Sequence, residues 1–364
     1  METVRSMKNI FLEIAGIDPD EPVALATVVR AMGSTPQKPG FSALFGKSGL
    51  LAGTVGGGVS EGRVQAVAMS CAGTSESFLQ VHDLANDITE AEEAICGGGL
   101  TILIDGNPLK SASAFRMLRD SILNSVPGVL ISGVAPGEGE NITLRRYWIA
   151  GNGTGSLPLS GYDSVKSAAM KLLAANDPAG FEEINVSPAS GENETVFFLQ
   201  PFYPPEKLII AGAGHVGRAL AHLGRLLEFE VTVIDERPEF ASSSNIPDAD
   251  RIVVSDIAGA VDELAVGGDT YVVIVTRGHK DDAMALRKCI GRNIPYIGMI
   301  GSKAKIGAVH RDFIEKGWAT EAQWERVHTP VGLPIKSQTV QEIAVSIAAE
   351  LVLTRNSISR QERE

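Results

Sequence analysis

The feature that most constrains this 364-residue chain is a glycine-rich turn, AGAGHVG at 211–217, between a strand-like run and a helical pattern. KLIIAGA leads into the turn and GRALAHLGRLLEF leads out of it. Four more apolar runs alternate with helical patterns beyond it: EVTVIDE, RIVVSD, TYVVIVTR and PYIGMIG. Such alternation predicts a parallel sheet covered by helices on both faces, so the second half is predicted to be a Rossmann-like doubly wound α/β domain.

The glycines of this turn have the spacing of a phosphate-binding loop. Gly212, Gly214 and Gly217 form the pattern G-x-G-x-x-G, and His215 lies inside it. Bare glycine backbone lets a pyrophosphate approach the amide groups at a helix N-terminus. The turn is therefore predicted to bind NAD(P), another nucleotide or a related phosphate. The alternative is a Rossmann domain that has kept its shape and lost its ligand.

An acidic residue follows the glycine loop at the distance expected of a ribose-binding residue. Asp235 ends the next predicted strand, close to the spacing of about 20 residues at which a carboxylate binds a ribose hydroxyl. Such an acid favours a free 2′-hydroxyl over a 2′-phosphate. Arg237, two residues later, leaves the 2′-phosphate open.

Ligands of open α/β sheets lie beyond the carboxyl ends of the strands. This rule selects Thr276, Arg277, Gly278 and His279 after the fourth strand of the domain, and Gly301, Ser302 and Lys303 after the fifth. His279 is a candidate catalytic acid–base residue, because Asp281 and Asp282 would raise its proton affinity if they lie close. A loop histidine that is only solvated is the alternative.

A second glycine cluster, GTVGGGVSEG at 53–62, also precedes a helical pattern. Gly56, Gly57 and Gly58 would stand at the helix N-terminus, where an anion can bind. No acid-bearing strand follows, and a close-packed turn explains the glycines equally well. Glu61 in the first helical turn suits the helix dipole in either case.

The three cysteines differ in their surroundings. Cys71 falls on the apolar face of a helical pattern and is predicted to be a core residue, and Cys289 is remote from the other two. Cys96 stands directly before three glycines, in ICGGGL, and outside any apolar period. A thiol on such a bend can serve as a soft ligand to a metal or as a sulfur carrier. Without a neighbouring Cys or His it does not form a zinc site.

Charge and hydropathy exclude two classes of protein. A formal net charge of -12 argues against a general nucleic-acid binder, which needs a basic face. No apolar stretch approaches the roughly 20 residues that span a bilayer. Glu13 interrupts the apolar run near the N-terminus, which argues against a signal peptide. The chain is therefore expected to be cytoplasmic.

A composition change divides the chain into two parts. PFYPPEK at 201–207 is a proline-rich joint. We expect a mixed α/β N-terminal domain over 1–200, a linker at 201–207, the Rossmann-like domain over 208–355 and a polar tail at 356–364.

Six motifs occur in a fixed order along the chain. They are GSTPQKPG, GTVGGG, the ICGG around Cys96, PPEKLIIAGAGHVG, YIGMIGSKAKI and HTPVGLPIKSQTVQEIAVSIAAELV. In this order they resemble the XdhC/CoxI family, the xanthine dehydrogenase accessory proteins. The resemblance covers roughly 20–105 and 205–353, and the ordered set is more specific than any one motif.

The resemblance implies an accessory role rather than a turnover reaction. Proteins of this family are thought to bind the molybdenum cofactor (molybdopterin) as cargo, to help it acquire its terminal sulfur and to deliver it to a xanthine dehydrogenase-type molybdenum hydroxylase. A cysteine desulfurase would be a second partner. Nucleic acid and membrane are not expected as partners. A homodimer is expected only because symmetric dimers are the commonest oligomers.

The family pattern carries over to particular positions. Gly33–Pro36 and Gly56–Gly58 match the N-terminal signature, Cys96–Gly98 the CGG motif, and Gly212–Gly217 the Rossmann loop. Family members often have Arg where this chain has Gln37, and often Cys where it has Val59. The absent cysteine puts a two-thiol site in doubt and leaves Cys96 as the sulfur ligand that the resemblance implies.

Two other functions remain open at this point. One is an NAD(P)-dependent oxidoreductase with His279 as its acid–base residue. The other is a nucleotide-sensing module that regulates a partner and performs no chemistry.

Overall fold

The computed structural model describes residues 9–83, 98–158, 162–186, 195–264 and 266–357. They fall into two compact units, divided along the chain between Pro204 and Pro205. The predicted linker overlaps two strands, because one strand continues through Phe202 and the next begins at Lys207. Among the described residues, no helix is both long enough and apolar enough to cross a bilayer.

The N-terminal unit begins with a five-stranded antiparallel sheet. Its strands are β1 (Val23–Met32), β2 (Ser42–Gly46), β3 (Gly49–Gly53), β4 (Ser77–Asp83) and β5 (Gly99–Asp105), in the order β3-β2-β1-β5-β4. Two helices accompany these strands, α1 (Asn9–Ile14) and α2 (Gly58–Cys71). Successive side chains of a strand point to opposite faces of its sheet. Ala24 and Ala26 of β1 accordingly pack with α2, and Val23 and Leu25 pack with α1.

A second antiparallel sheet completes this unit. Its strands are β6 (Gly128–Pro136), β7 (Ile142–Ala150), β8 (Glu182–Val186) and β9 (Thr195–Phe202), in the order β7-β6-β9-β8. The accompanying helices are α3 (Ala112–Leu123) and α4 (Asp163–Ala174). Alternate residues of β6 pack with different helices: Leu130 joins the cluster of α3, and Val129 and Ile131 join that of α4.

The C-terminal unit contains a six-stranded parallel sheet. Its strands are β10 (Lys207–Ala211), β11 (Glu230–Asp235), β12 (Arg251–Val254), β13 (Thr270–Ile274), β14 (Tyr296–Met299) and β15 (Val327–His328). They lie in the order β12-β11-β10-β13-β14-β15, which is the order of a dinucleotide-binding Rossmann sheet. The predicted fold class is confirmed.

Helices cover both faces of the parallel sheet. They are α5 (His215–Leu226), α6 (Ile257–Glu263), α7 (His279–Cys289), α8 (Lys303–Glu315), α9 (Glu321–Trp324) and α10 (Val340–Ser357). Ile210 on β10 packs with Leu220 of α5 and Ile347 of α10. Its neighbour Ile209 points to the other face and packs with Phe313 of α8. Both cores are built from strand residues with little or no exposure, as a buried parallel sheet requires.

Candidate functional site

The three N-terminal motifs lie at one end of the five-stranded sheet. The loop of residues 33–40, here called the signature loop, leaves the end of β1. Met32 of β1 pairs with Gly99 of the antiparallel strand β5, so Gly98, the last residue of the CGG motif, lies at the same end of the sheet. β2 is antiparallel to both β1 and β3, so β3 also ends there and leads into the GTVGGG turn.

Close contacts join these motifs. A Cβ atom placed on Gly98 would lie 2.4 Å from the carbonyl oxygen of Met32 and 2.6 Å from that of Ser34. One placed on Gly56 would lie 3.1 Å from Cγ of Pro36. The signature loop therefore contacts both glycine motifs. We call this set the motif cluster: residues 33–40, residues 53–58 and Gly98.

The glycine turn before α2 is held together by hydrogen bonds between the chain's own polar groups. Gly56 and Gly57 have φ angles of 142° and 73°, which L residues rarely adopt. Glu61 Oε1 accepts hydrogen bonds from the Thr54 hydroxyl (2.7 Å) and the Val55 amide (3.1 Å). Its carboxylate thus already places a negative charge at the start of α2, where the helix dipole favours one. Anion binding by Gly56, Gly57 and Gly58 stays a prediction.

The cysteines are separated by their environment. Cys71 and Cys289 are buried, and burial raises the pKa of their thiols to about 11 and about 12, respectively. Neither provides a thiolate at neutral pH, so the prediction that Cys71 is a core residue is confirmed. Cys96 lies outside the described residues, and Gly98 is the first described residue after it.

In the C-terminal unit, the glycines of the Rossmann loop have three different surroundings. A Cβ on Gly212, whose φ is 119°, would lie 2.6 Å from the carbonyl oxygen of Val275. One on Gly217 would lie 1.9 Å from the carbonyl oxygen of Gly212, whereas one on Gly214 would meet nothing within 4 Å. Gly212 and Gly217 therefore serve the turn and the helix packing, and Gly214 keeps the approach to the loop open. His215 is exposed and begins α5.

Asp235 is buried beneath the glycine loop and hydrogen-bonds its backbone instead of facing solvent. It is 3% exposed, and its Oδ2 accepts a hydrogen bond from the Ala213 amide at 2.8 Å. Arg237 donates to both carboxylate oxygens through Nε and Nη2, each at 2.8 Å, and through its own amide at 3.0 Å. Burial alone would raise the pKa of the Asp235 carboxyl, but these hydrogen bonds outweigh it and hold that pKa below its ordinary value.

The strand order reverses between β10 and β13, and residues that follow β13 and β14 form a hydrogen-bonded network. The Thr276 amide donates to Asp282 Oδ1 at 3.2 Å, and the Thr276 hydroxyl also hydrogen-bonds this carboxylate. The ammonium group of Lys305 forms an ion pair with the same carboxylate. Asp282 is completely buried, so its charge is balanced inside the protein by Lys305.

This network corrects the interpretation of the DD pair beside His279. The Asp282 carboxylate hydrogen-bonds Thr276, which follows β13, and forms an ion pair with Lys305, which follows β14. His279 is the first residue of α7, after the N-cap Gly278, and not a loop residue. His279 thus lies in a helix and not in a loop, and its role as an acid–base residue stays a prediction.

The glycine and serine after β14 support the same region. Ser302 is the N-cap of α8, where its hydroxyl oxygen accepts a hydrogen bond from the Lys305 amide at 3.3 Å. A Cβ on Gly301 would lie 3.3 Å from Cδ of Lys305. Ser302 thus caps the helix that carries Lys305, and the absence of a side chain at Gly301 leaves room for the Lys305 side chain.

Sequence reasoning missed a half-buried carboxylate with several partners, Glu350 of α10. It accepts hydrogen bonds from the Tyr296 hydroxyl (2.6 Å), His328 Nδ1 (3.1 Å) and the Gly332 amide (2.8 Å). Burial would raise the pKa of Glu350, but these bonds hold it below its ordinary value. The cluster ties α10 to the segment that follows β15. The only signal in the sequence was that His328, Gly332 and Glu350 belong to one of the six ordered motifs.

The described part of the chain contains no preformed metal-binding site. There, no three His, Cys, Asp or Glu side chains are grouped so that they could hold a metal ion.

Comparison with known proteins identifies both units. The model of the XdhC Rossmann domain matches residues 208–351, and the model of the XdhC and CoxI family matches residues 17–83. A protein of Bacillus subtilis (strain 168) that is named as a probable xanthine dehydrogenase component is 25% identical over 351 residues, which are 94% of this chain and 96% of that protein.

Two other relatives differ in extent. The protein YqeB of Escherichia coli (strain K12) is 36% identical over 152 residues, but the match spans 42% of this chain and only 28% of YqeB. A crystal structure of a xanthine dehydrogenase from Bacillus halodurans has the same fold, with a TM-score of 0.77 over 97% of this chain and 96% of that chain, at 23% identity. Because two models of one family together match more than half of the sequence, in both units, the chain belongs to the XdhC and CoxI family.

Proposed function

We propose that this protein is a maturation factor for a molybdenum hydroxylase of the xanthine dehydrogenase type. In this proposal it binds the molybdenum cofactor as cargo, holds it while it is sulfurated and delivers it to the hydroxylase. Family membership and the xanthine dehydrogenase names of its relatives support this role. A cysteine desulfurase would supply the sulfur, so the part of this chain in sulfuration is to hold the cofactor.

The observation that carries the proposal is the convergence of the motif cluster. Residues 33–40, the turn at 53–58 and Gly98 are far apart in the sequence and in contact in the structure. Close contacts and backbone conformation already account for glycine at Gly56 and Gly98, so the proposal rests on the convergence of the three motifs and not on their glycine content. In this proposal the phosphate of the pterin cofactor binds at the start of α2, next to the glycine-rich turn, where a helix N-terminus favours an anion.

Cys96 adds the chemistry that backbone cannot supply. It precedes Gly98 of the motif cluster by two residues. A thiolate is a soft ligand that suits a molybdenum–sulfur centre or a sulfur in transit. The other two cysteines are buried with raised pKa values, which leaves Cys96 as the cysteine proposed to contact the cargo.

For the C-terminal unit we propose nucleotide binding. The sheet order, the open approach to Gly214 and the start of α5 at His215 support a pyrophosphate site. Thr276, Gly301 and Ser302 would line the other side of the crevice where the strand order reverses. The nucleotide would be NAD(P) or the nucleotide part of the cargo.

The test of cofactor handling is anaerobic binding of isolated molybdenum cofactor, read as protein-bound molybdenum after gel filtration. The wild-type chain is expected to bind near-stoichiometric molybdenum, and Cys96→Ser is expected to bind at least tenfold more weakly because a hydroxyl is a poor soft ligand. Cys71→Ala, which removes a buried thiol, is the matched control and should bind like wild type.

Two results would count against this assignment. Wild-type affinity of Cys96→Ser would remove the proposed thiolate contact. Absence of binding by all three proteins would remove cofactor handling itself and direct attention to the nucleotide site.

A further inference from the structure

We infer that Arg237, and not Asp235, meets the base and ribose of the bound nucleotide, and that this nucleotide carries no 2′-phosphate. The inference rests on the nucleotide site proposed for the C-terminal unit. It concerns the end of the crevice next to β11, where a carboxylate usually accepts hydrogen bonds from a ribose.

The acceptor positions of Asp235 are already filled. A carboxylate has about four lone-pair sites. Oδ1 receives the Arg237 amide and Nε, and Oδ2 receives the Ala213 amide and Arg237 Nη2. The side chain also has only 4% exposure. A ribose hydroxyl would have to displace Arg237 to reach Asp235, so the usual ribose contact is blocked.

Arg237 is held in a fixed position by this carboxylate. The guanidinium group is bound through two of its five N–H donors. Its central carbon lies 4.0 Å from the centre of the Phe240 ring, so Phe240 covers one face. The side chain keeps 21% exposure. A planar guanidinium held in this way is suited to stack on a base or to donate to ribose oxygens.

The segment carrying Arg237 is anchored to the phosphate-binding loop. Asn245 Nδ2 donates to the carbonyl oxygens of Phe240 (2.8 Å) and Ala213 (3.3 Å). Asp235 bonds the amide of the same Ala213. Arg237 is therefore held, through Asp235 and Asn245, next to Ala213 of the glycine loop. That is where the first nucleoside of a dinucleotide lies in this fold.

The charges around Arg237 disfavour a phosphorylated ribose. Glu236 and Glu239 are exposed, and both act with Asp235 to raise the pKa of Arg237, with the Asp235 hydrogen bond as the largest cause. Arg237 is thus already paired with Asp235, and two further exposed carboxylates lie within three residues of it in the sequence. A 2′-phosphate would bring up to two further negative charges into this field. The base and a neutral ribose bring none.

Calorimetric titration of the full chain with ADP-ribose and with 2′-phospho-ADP-ribose tests the inference, since the two probes differ only in the phosphate. ADP-ribose is expected to bind at least tenfold more tightly. In Glu236→Gln/Glu239→Gln this preference should fall to about threefold or less, with the ADP-ribose affinity within twofold of wild type. Glu230→Gln, at the opposite end of β11, is the matched control and should keep the full preference.

A second variant tests the contact with Arg237 itself. Arg237→Lys keeps the charge and loses the planar group, so ADP-ribose is expected to bind about fivefold more weakly. Arg225→Lys, in the last turn of α5, should leave binding unchanged. Wild-type affinity in Arg237→Lys would overturn the role of Arg237.

The remaining outcomes separate this inference from the proposed function. Equal affinity for both probes, or a preference for 2′-phospho-ADP-ribose, would overturn the inference and leave nucleotide binding intact. Absence of binding by either probe would overturn the proposed nucleotide site and the inference with it.

Discussion

Gly217→Ala is expected to destabilise the C-terminal unit by roughly 3 kcal/mol or more, at the upper end of the effects of overpacking. The new Cβ would lie 1.9 Å from the carbonyl oxygen of Gly212. That oxygen belongs to the backbone of the glycine loop, so no change of rotamer can move it away. The loop and the first turn of α5 must separate. Urea denaturation of the full chain, followed by the circular dichroism of its helices, measures the loss.

Gly214→Ala is the matched control for this prediction. A Cβ on Gly214 meets nothing within 4 Å, and the residue has a φ of -72°, which alanine adopts readily. The free energy of unfolding of the Gly214→Ala variant is expected to stay within about 1 kcal/mol of wild type. Because the Cβ would stand where a pyrophosphate approaches, ADP-ribose should bind at least tenfold more weakly. Equal stability losses in the two variants would contradict the distinction drawn between these glycines.

Asp282→Ala is expected to cost about 2–3 kcal/mol of unfolding free energy. The change leaves the Lys305 ammonium without its buried partner and removes the acceptor of the Thr276 amide. Loss of a buried partner can cost more, but Lys305 keeps 24% exposure and can recover part of its hydration. Asp281→Ala removes the exposed neighbouring carboxylate and should change stability by less than about 0.5 kcal/mol.

A double-mutant cycle shows whether the pair is the cause. Asp282→Ala/Lys305→Met removes both charges, so its destabilisation is expected to be smaller than the sum of the two single variants by at least about 1 kcal/mol. Strict additivity would mean that Asp282 acts only through Thr276. Denaturant melts of the four proteins under identical salt and pH supply the comparison.

Much of the C-terminal fold could be predicted from local signals. The glycine spacing after KLIIAGA and the alternation of apolar strands with helices determine a doubly wound sheet, and the observed order of strands agrees. β15 has only two residues, too few to give a periodic pattern. β4 and β8 are edge strands that local patterns did not indicate: in β4 the apolar Val81 is exposed and the polar His82 is buried, and in β8 exposed polar residues interrupt the apolar ones.

The site was harder to predict than the fold, because its contacts join distant parts of the chain. Asp282 and Lys305 meet only because β13 and β14 are neighbours with their carboxyl ends together. The local sequence instead suggested that Asp281 and Asp282 could act on His279 if they lay close to it. Asp235 ends β11 as the sequence predicts, but the filling of its acceptor sites by Arg237 depends on side-chain geometry.

The N-terminal motifs show the same limit. Their order along the chain points to the family, and nothing in the sequence states that Gly98 touches the backbone at Ser34 or that Gly56 approaches Pro36. The antiparallel pairing of β1 with β2 and β5 brings them to one end of a sheet. The motifs of the family pattern lie about 20 to 40 residues apart in the sequence, so they come into contact only in the folded unit.

The most direct test of the account is the state of the hydroxylase made with and without this protein. The xanthine dehydrogenase-type enzyme of the same organism would be purified from cells that contain the wild-type chain, the Cys96→Ser variant, the Cys71→Ala control or none, and its molybdenum and terminal sulfur measured. The account predicts full loading with wild type and Cys71→Ala, and less than a tenth of the terminal sulfur with Cys96→Ser or without the chain. A fully sulfurated, active hydroxylase from cells that lack this protein would contradict it.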